Sequence, residues 1–154
     1  MTTSTEKTTA QVSRHLEFLG YTSTRQEDGW TLAAHPTRPD LCYRALSFGV
    51  RLVALFDLGR LSGDARAEWV EFANRCNSVG LFVRFALGAR EGEGHSFRAT
   101  AVFHGAYTRT AFGAFMDAWH SDMALMAHAP TAGDGPAADD EDDDEGGDTS
   151  AVTH

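Results

Sequence analysis

The clearest alternation of apolar and polar positions in this chain runs from Ser62 to Asp122, and it predicts helix, strand, strand, helix. Ala65, Trp69, Phe72, Ala73, Cys76 and Val79 recur at the three-and-four spacing of one helical face. Gly80 ends the pattern, where a left-handed C-terminal residue is cheapest as glycine. Two alternating runs follow, Leu81–Leu87 and Ser96–His104, joined by the polar, glycine-rich loop Gly88–His95. In the first, Leu81, Val83, Phe85 and Leu87 share one face and Phe82, Arg84 and Ala86 the other. In the second, Phe97, Ala99, Ala101 and Phe103 oppose Arg98, Thr100, Val102 and His104. Thr110–Met126 then places Phe112, Phe115, Trp119, Met123 and Met126 on one helical face, with Thr108 or Thr110 as its cap.

The N-terminal half carries shorter versions of the same signals. Thr8 or Thr9 is placed to cap a helix over Gln11–Leu19, with Val12, Leu16 and Leu19 inward and Gly20 as the stop. Tyr21–Ala34 reads as a hairpin about Asp28-Gly29, although its polar first arm is equally compatible with a loop. Two further strands, Leu41–Phe48 and Arg51–Leu58, flank a tight bend at Gly49. Cys42, Leu46 and Phe48 share a face of the first, with Arg44 among them. Leu52, Ala54 and Phe56 oppose Val53 and Leu55 in the second. A strand apolar on both faces is covered on both sides, so the sheet is expected to meet helices on one face and a partner on the other. The fold class expected is α+β: an antiparallel sheet of about five strands in the order α-β-β-β-α-β-β-α.

Composition divides the chain. Nine of the 22 Asp and Glu residues lie between Asp134 and Asp148, with no Lys or Arg among them. The rest then holds thirteen acids against thirteen bases, so the formal charge of −9 belongs to the tail. Three regions are expected: a disordered N-terminus over 1–7, an α+β domain over 8–130, and a disordered acidic tail over 131–154, too poor in apolar residues to offset its chain entropy. Cys42 and Cys76 are expected as reduced, partly buried thiols. The start of the chain lacks the pattern of a signal peptide, and no apolar run approaches the roughly 18 residues of a membrane span. The expected location is the cytoplasm, with no membrane partner.

The element order resembles that of the YbjN-type family, which shares the type III secretion chaperone-like fold. The residues that carry the resemblance are the short helix ending Leu19-Gly20-Tyr21 and the segment Phe72-Ala73-Asn74-Arg75-Cys76-Asn77 that closes the second helix. The strand Leu81-Phe82-Val83-Arg84-Phe85, the hairpin to Phe97–Phe103 and the last helix with Phe112, Phe115 and Trp119 complete it. The resemblance covers about residues 8–126. It implies a small homodimeric binding protein, chaperone-like or a regulator in sensory transduction, with no catalytic signature to carry over.

The search for chemistry is mostly negative. The seven histidines and two cysteines show no pair at zinc-ligand spacing. No G-x-S-x-G elbow is present, and Cys76 falls mid-helix on an apolar face. Gly88–Gly94 lacks the phosphate-loop lysine and links two strands. Met116, Met123 and Met126 read as core filling. Arg84 and Arg98, with Phe82 and Thr100, have the elements of a nucleic-acid platform, but a neutral domain with an acidic tail argues against that partner. The chain is therefore expected to be non-enzymatic, with no metal, cofactor, small-molecule substrate or nucleic-acid partner. An enzyme reading would need a pocket gathering His104, His120 and an acid. The expected function is a chaperone-like protein-binding module acting as a homodimer, with another protein as client. Its interface candidates are Val53, Leu55, Phe82, Arg84, Arg98 and Thr100. The alternative is a signalling or transcription regulator that meets a basic partner through Asp139, Asp140, Glu141, Asp142, Asp143, Asp144 and Glu145.

Overall fold

Thr3 caps the first helix, five residues before Thr8, the earlier of the two caps expected from the sequence. Its hydroxyl accepts the Glu6 amide at 3.2 Å, and the Glu6 carboxylate accepts the Thr3 amide at 2.8 Å. This reciprocal box satisfies two of the free amides of the first turn, so Ser4–Lys7 are helical and the expectation of disorder over 1–7 is corrected there. In the computed structural model, which describes residues 3–131, helix α1 covers Ser4–Phe18. Strands β1 (Thr22–Arg25), β2 (Thr31–Ala34), β3 (Leu41–Leu46) and β4 (Gly49–Gly59) follow. Then come helix α2 (Gly63–Val79), strands β5 (Arg84–Ala89) and β6 (His95–His104), and helix α3 (Arg109–Met123), continued by a 3₁₀ turn over Ala124–His128. The stretch 132–154, where the acidic tail was expected to be disordered, lies outside the described residues.

The fold class is α+β, and the sheet has six strands in the order β1-β2-β3-β4-β6-β5, all antiparallel. The sixth is the polar first arm of the opening hairpin, which the sequence left undecided. It pairs with β2 from Thr22↔Ala34 to Arg25↔Thr31.

Burial falls on one face of the sheet. Phe97, Ala99, Ala101 and Phe103 of β6 are buried, on the face their alternation grouped together, and in β4 the buried set is Val50, Leu52 and Ala54. In β3, whose inward face the sequence did not assign, the structure decides between the two faces. Leu41 and Tyr43 are in the core, whereas Cys42, Arg44 and Leu46 lie on the outer face. The three helices bring Val12 and Leu16, Trp69, Phe72 and Cys76, and Phe112, Phe115, Met116, Trp119 and Met123 onto the buried face. Phe72 and Trp69 meet Phe97 at ring separations of 5.4 and 5.1 Å, and Phe103 meets Phe112 and Phe115 at 5.4 Å each. Such pairs add about 0.5–1.5 kcal/mol each beyond their buried area. No helix among the described residues is long and apolar enough to cross a membrane.

Gly80 closes α2 for a different reason from the one its sequence position suggests. Its φ is −67°, which is open to any residue. A Cβ there would lie 2.9 Å from the Cys76 carbonyl oxygen and 3.4 Å from an Asp122 carboxylate oxygen. The absence of a side chain thus serves close packing rather than a left-handed turn.

Candidate functional site

The outer face of the sheet is the best-defined candidate surface, and cross-strand register builds it. Directly opposed residues share a face, so one row runs Leu32, Cys42, Val53, Thr100, Arg84 from β2 across β3, β4 and β6 to β5. A second row joins Leu55, Arg98 and Ala86, and a third joins Arg44, Arg51 and Val102. Gln26, Asp28, Trp30, Leu32, Cys42, Arg51, Val53, Leu55, Arg98 and Thr100 line a groove of about 500 Å³ on this face. Leu55, mid-strand, is 60% exposed.

Five of the six predicted interface residues share this face: Val53, Leu55, Arg84, Arg98 and Thr100. Phe82 does not. It precedes β5, is half-buried, and packs edge-on against Phe115 of α3 at 4.8 Å. Strand β5 was expected to begin at Leu81, but the Leu81, Phe82 and Val83 amides donate to the Asp122 carboxylate at 3.3, 2.8 and 2.7 Å. Regular pairing therefore begins at Arg84. Leu81, expected in the core, is 96% exposed, and with Val79 at 65% it forms an apolar patch beside Phe82.

Two arginines of the face were not among the interface residues expected from the sequence. Arg44 and Arg51 are directly opposed in the β3–β4 register, and like charges so placed repel. Arg44, Arg51, Arg98 and Arg84 thus put one guanidinium on each of four consecutive strands. Among the described residues none of the four forms an ion pair. Asp28 lines the groove, Asp40 lies close enough to act on the thiol of Cys42 on the same face, and Asp57 is engaged by Arg90. The signal was present in the sequence as one arginine in each of four strands, but it gains meaning only once β4 is known to lie beside β6.

The exposed edge of β5 is closed to strand addition near its start. The Asn77 side chain of α2 accepts the Phe85 amide and donates to the Phe85 carbonyl, both at 2.8 Å. An asparagine amide thereby takes the place of a neighbouring strand.

The groups that would make an enzyme reading attractive lie apart. His104 stacks on Phe48 at 5.9 Å at the sheet's end. His120 lies between α3 and the N-terminal hairpin, with its Nε2 3.0 Å from the Tyr21 hydroxyl and the Arg38 guanidinium 3.2 Å away. The described residues contain no cluster of three or more His, Cys, Asp or Glu able to hold a metal ion. Cys42 and Cys76 are free thiols whose pKa values burial raises.

Burial, with added repulsion from Arg38, pulls the His120 pKa down to about 4 from 6.5. The folded state therefore keeps this imidazole neutral where the unfolded chain protonates it. Stability from this group is complete above pH 6.5 and is lost as the pH falls toward 4. The full shift corresponds to roughly 3 kcal/mol. Because the ring is about half exposed, screening reduces that to about 1–2 kcal/mol. Urea unfolding at pH 7 and pH 4.5 should show this component in the wild type and lose it in His120→Gln. An equal pH dependence in both proteins would remove His120 as its source.

No family model matches the chain, and no curated protein matches it. Solved structures do. The crystal structure of YbjN from E. coli, described there as a candidate transcription regulator, superposes with a TM-score of 0.62 at 10% identity, over 78% of this chain and 89% of that one. An uncharacterized protein from Methanothermobacter thermautotrophicus superposes with a TM-score of 0.51 at 11% identity, over 79% and 95%. At these identities the likeness concerns architecture, and the chain has a YbjN-like fold.

Proposed function

We propose that this chain is a non-enzymatic, chaperone-like protein-binding module that works as a homodimer and holds another protein on the outer face of its sheet. The observation that carries the proposal is that face itself. It offers Trp30, Leu32, Val53 and Leu55 as an apolar strip, bordered by four arginines without an ion-pair partner among the described residues. An apolar centre with a charged rim is the anatomy of a protein contact surface. A second copy docked face to face would set arginines against arginines. The homodimer contact is therefore assigned to the Val79, Leu81 and Phe82 patch, which is apolar and lies on the helical side.

Light scattering at roughly tens of micromolar should report a dimer, a monomer for Leu81→Glu, and a dimer still for Leu55→Glu. A wild-type monomer sinks the dimer. Peptide display against the chain ending at Pro130 should enrich segments that no longer bind Leu55→Glu. No enrichment, or enrichment indifferent to Leu55, sinks the contact surface. A second reading rests on the nine acids between Asp134 and Asp148: a signalling or transcription regulator that meets a basic partner through them. Loss of partner capture on truncation after Pro130, with the dimer intact, favours that reading.

A further inference from the structure

We propose that the arginine-bearing face of the sheet is a site for an acidic segment, and that Asp139–Glu145 of this same chain is its resident occupant. The proposal rests on the reading of that face as a contact surface and names what competes for it.

Three observations converge. The first is charge. Arg44, Arg51, Arg98 and Arg84 occupy four neighbouring strands and form no ion pair among the described residues. Arg44 and Arg51 are opposed in register, an arrangement that becomes favourable when an anion lies between them. Asp139–Glu145 is a run of seven acids without a base.

The second is reach. Asp122 binds the amides of Leu81–Val83, so the end of α3 lies against the residues that lead directly into Arg84 on the edge strand. The described chain ends at residue 131, and the run of seven acids begins eight residues later. Eight residues extend up to about 27 Å. The four arginine-bearing strands span three gaps of about 4.8 Å, or roughly 14 Å.

The third is strength. Individual exposed ion pairs are weak and screened by salt, so a free acidic peptide would bind loosely. A short tether supplies its segment at an effective concentration on the order of millimolar. That suffices for a weak segment to occupy the face and to yield to a client with apolar anchors for Leu55 and Trp30. The tail then acts as a tethered competitor that sets a threshold for client binding.

The test compares amide NMR spectra of the full chain with those of the chain ending at Pro130, at low salt. Resonances of Arg51, Val53, Leu55, Arg98 and Thr100 should differ between the two. The differences should vanish at about 0.5 M NaCl, where the screening length is only a few ångströms. They should also vanish in the full-length Arg51→Glu/Arg98→Glu variant, whose remaining resonances report that it is folded. A synthetic peptide of residues 137–146, added to the truncated chain, should move the same five amides. A peptide with Asn and Gln in place of the acids should move none.

Superimposable spectra of the full and truncated chains at low salt overturn the proposal, as does an equal response to the neutral peptide. If the spectra superimpose while peptide display still depends on Leu55, the face remains a contact surface and only its occupant is wrong. If display fails as well, both ideas fall.

Discussion

Gly49→Ala should cost about 4 kcal/mol or more and disconnect one end of the sheet. Gly49 opens β4 after the two-residue turn Ser47-Phe48, where Leu46↔Gly49 closes the β3–β4 hairpin. Neither turn residue has a positive φ, and the unusual backbone falls on Gly49 at +158°. On its other side Gly49 is paired with His104 of β6. A Cβ would lie 1.9 Å from the Phe103 carbonyl oxygen, 2.9 Å from its carbonyl carbon and 3.2 Å from the His104 Cα. All three are main-chain atoms of the paired strand, so no side-chain rotation relieves the overlap. Either β4 separates from β6 there, or the hairpin moves and takes the adjacent Val50 out of the core. Gly29→Ala is the informative comparison. Its φ is +86° and a Cβ there would meet open space, so it carries the left-handed penalty alone, about 1–2 kcal/mol. Urea unfolding of the two variants separates backbone preference from steric exclusion. A Gly49→Ala protein within 1 kcal/mol of Gly29→Ala would mean that the two strands part cheaply.

What was legible in the sequence, and what was not, follows from the range of the interactions involved. The inward face of β6 was legible because Phe97, Ala99, Ala101 and Phe103 alternate with Arg98, Thr100 and His104, and a one-residue slip would expose all of them. The Thr108 cap, one of the two hydroxyls expected there, was legible because a hydroxyl and the amide three residues on are local. The inward face of β3 was left open because the strand has apolar residues on both faces. Arg44 was the available clue, since a charge in mid-strand marks the outer face, and it sets Cys42 and Leu46 there too. The start of β5 was hidden for another reason. Leu81–Val83 have strand-like side chains, yet their amides are claimed by a residue about forty positions away. The arginine face shows both limits at once. Arg84 and Arg98 come from one hairpin and were paired by sequence alone. Arg44 and Arg51 joined them only through the non-consecutive pairing of β4 with β6. Phe82 left the set because Phe115, on a helix, covers it.

Asp122→Ala should destabilise the protein by about 3–4 kcal/mol, and the damage should centre on the segment before β5. On sequence grounds an aspartate in the last turn of a helix is poorly placed, because the carbonyl end of the dipole repels it. Asp122 is nonetheless buried, one turn after Trp119 on the core-facing side of α3. The three amides it accepts account for this. Leu81, Phe82 and Val83 are not paired with β6, and without the carboxylate their N–H groups lose their acceptor at the edge of the core. A charge-assisted bond is worth more than a neutral one, and an unmet buried donor costs its own desolvation. Substitution therefore has consequences beyond one side chain. Phe82 loses its fixed approach to Phe115, and Val83 loses the anchor that keeps it in the core. Asp122→Asn retains an acceptor oxygen without the charge and should recover part of the loss, leaving about 1–2 kcal/mol. Hydrogen exchange gives the sharper readout. The amides of Phe82 and Val83 should exchange faster in Asp122→Ala by a larger factor than those of β4, because the local constraint is removed in addition to the global loss. Uniform acceleration across the sheet would mean that Asp122 acts through overall stability alone. The clamp also bears on the proposed assembly: Leu81 is one of the three residues it holds, so a dimer formed through Leu81 should weaken in Asp122→Ala, seen by light scattering as a shift toward monomer, while the proposed peptide contact at Leu55 stays unchanged.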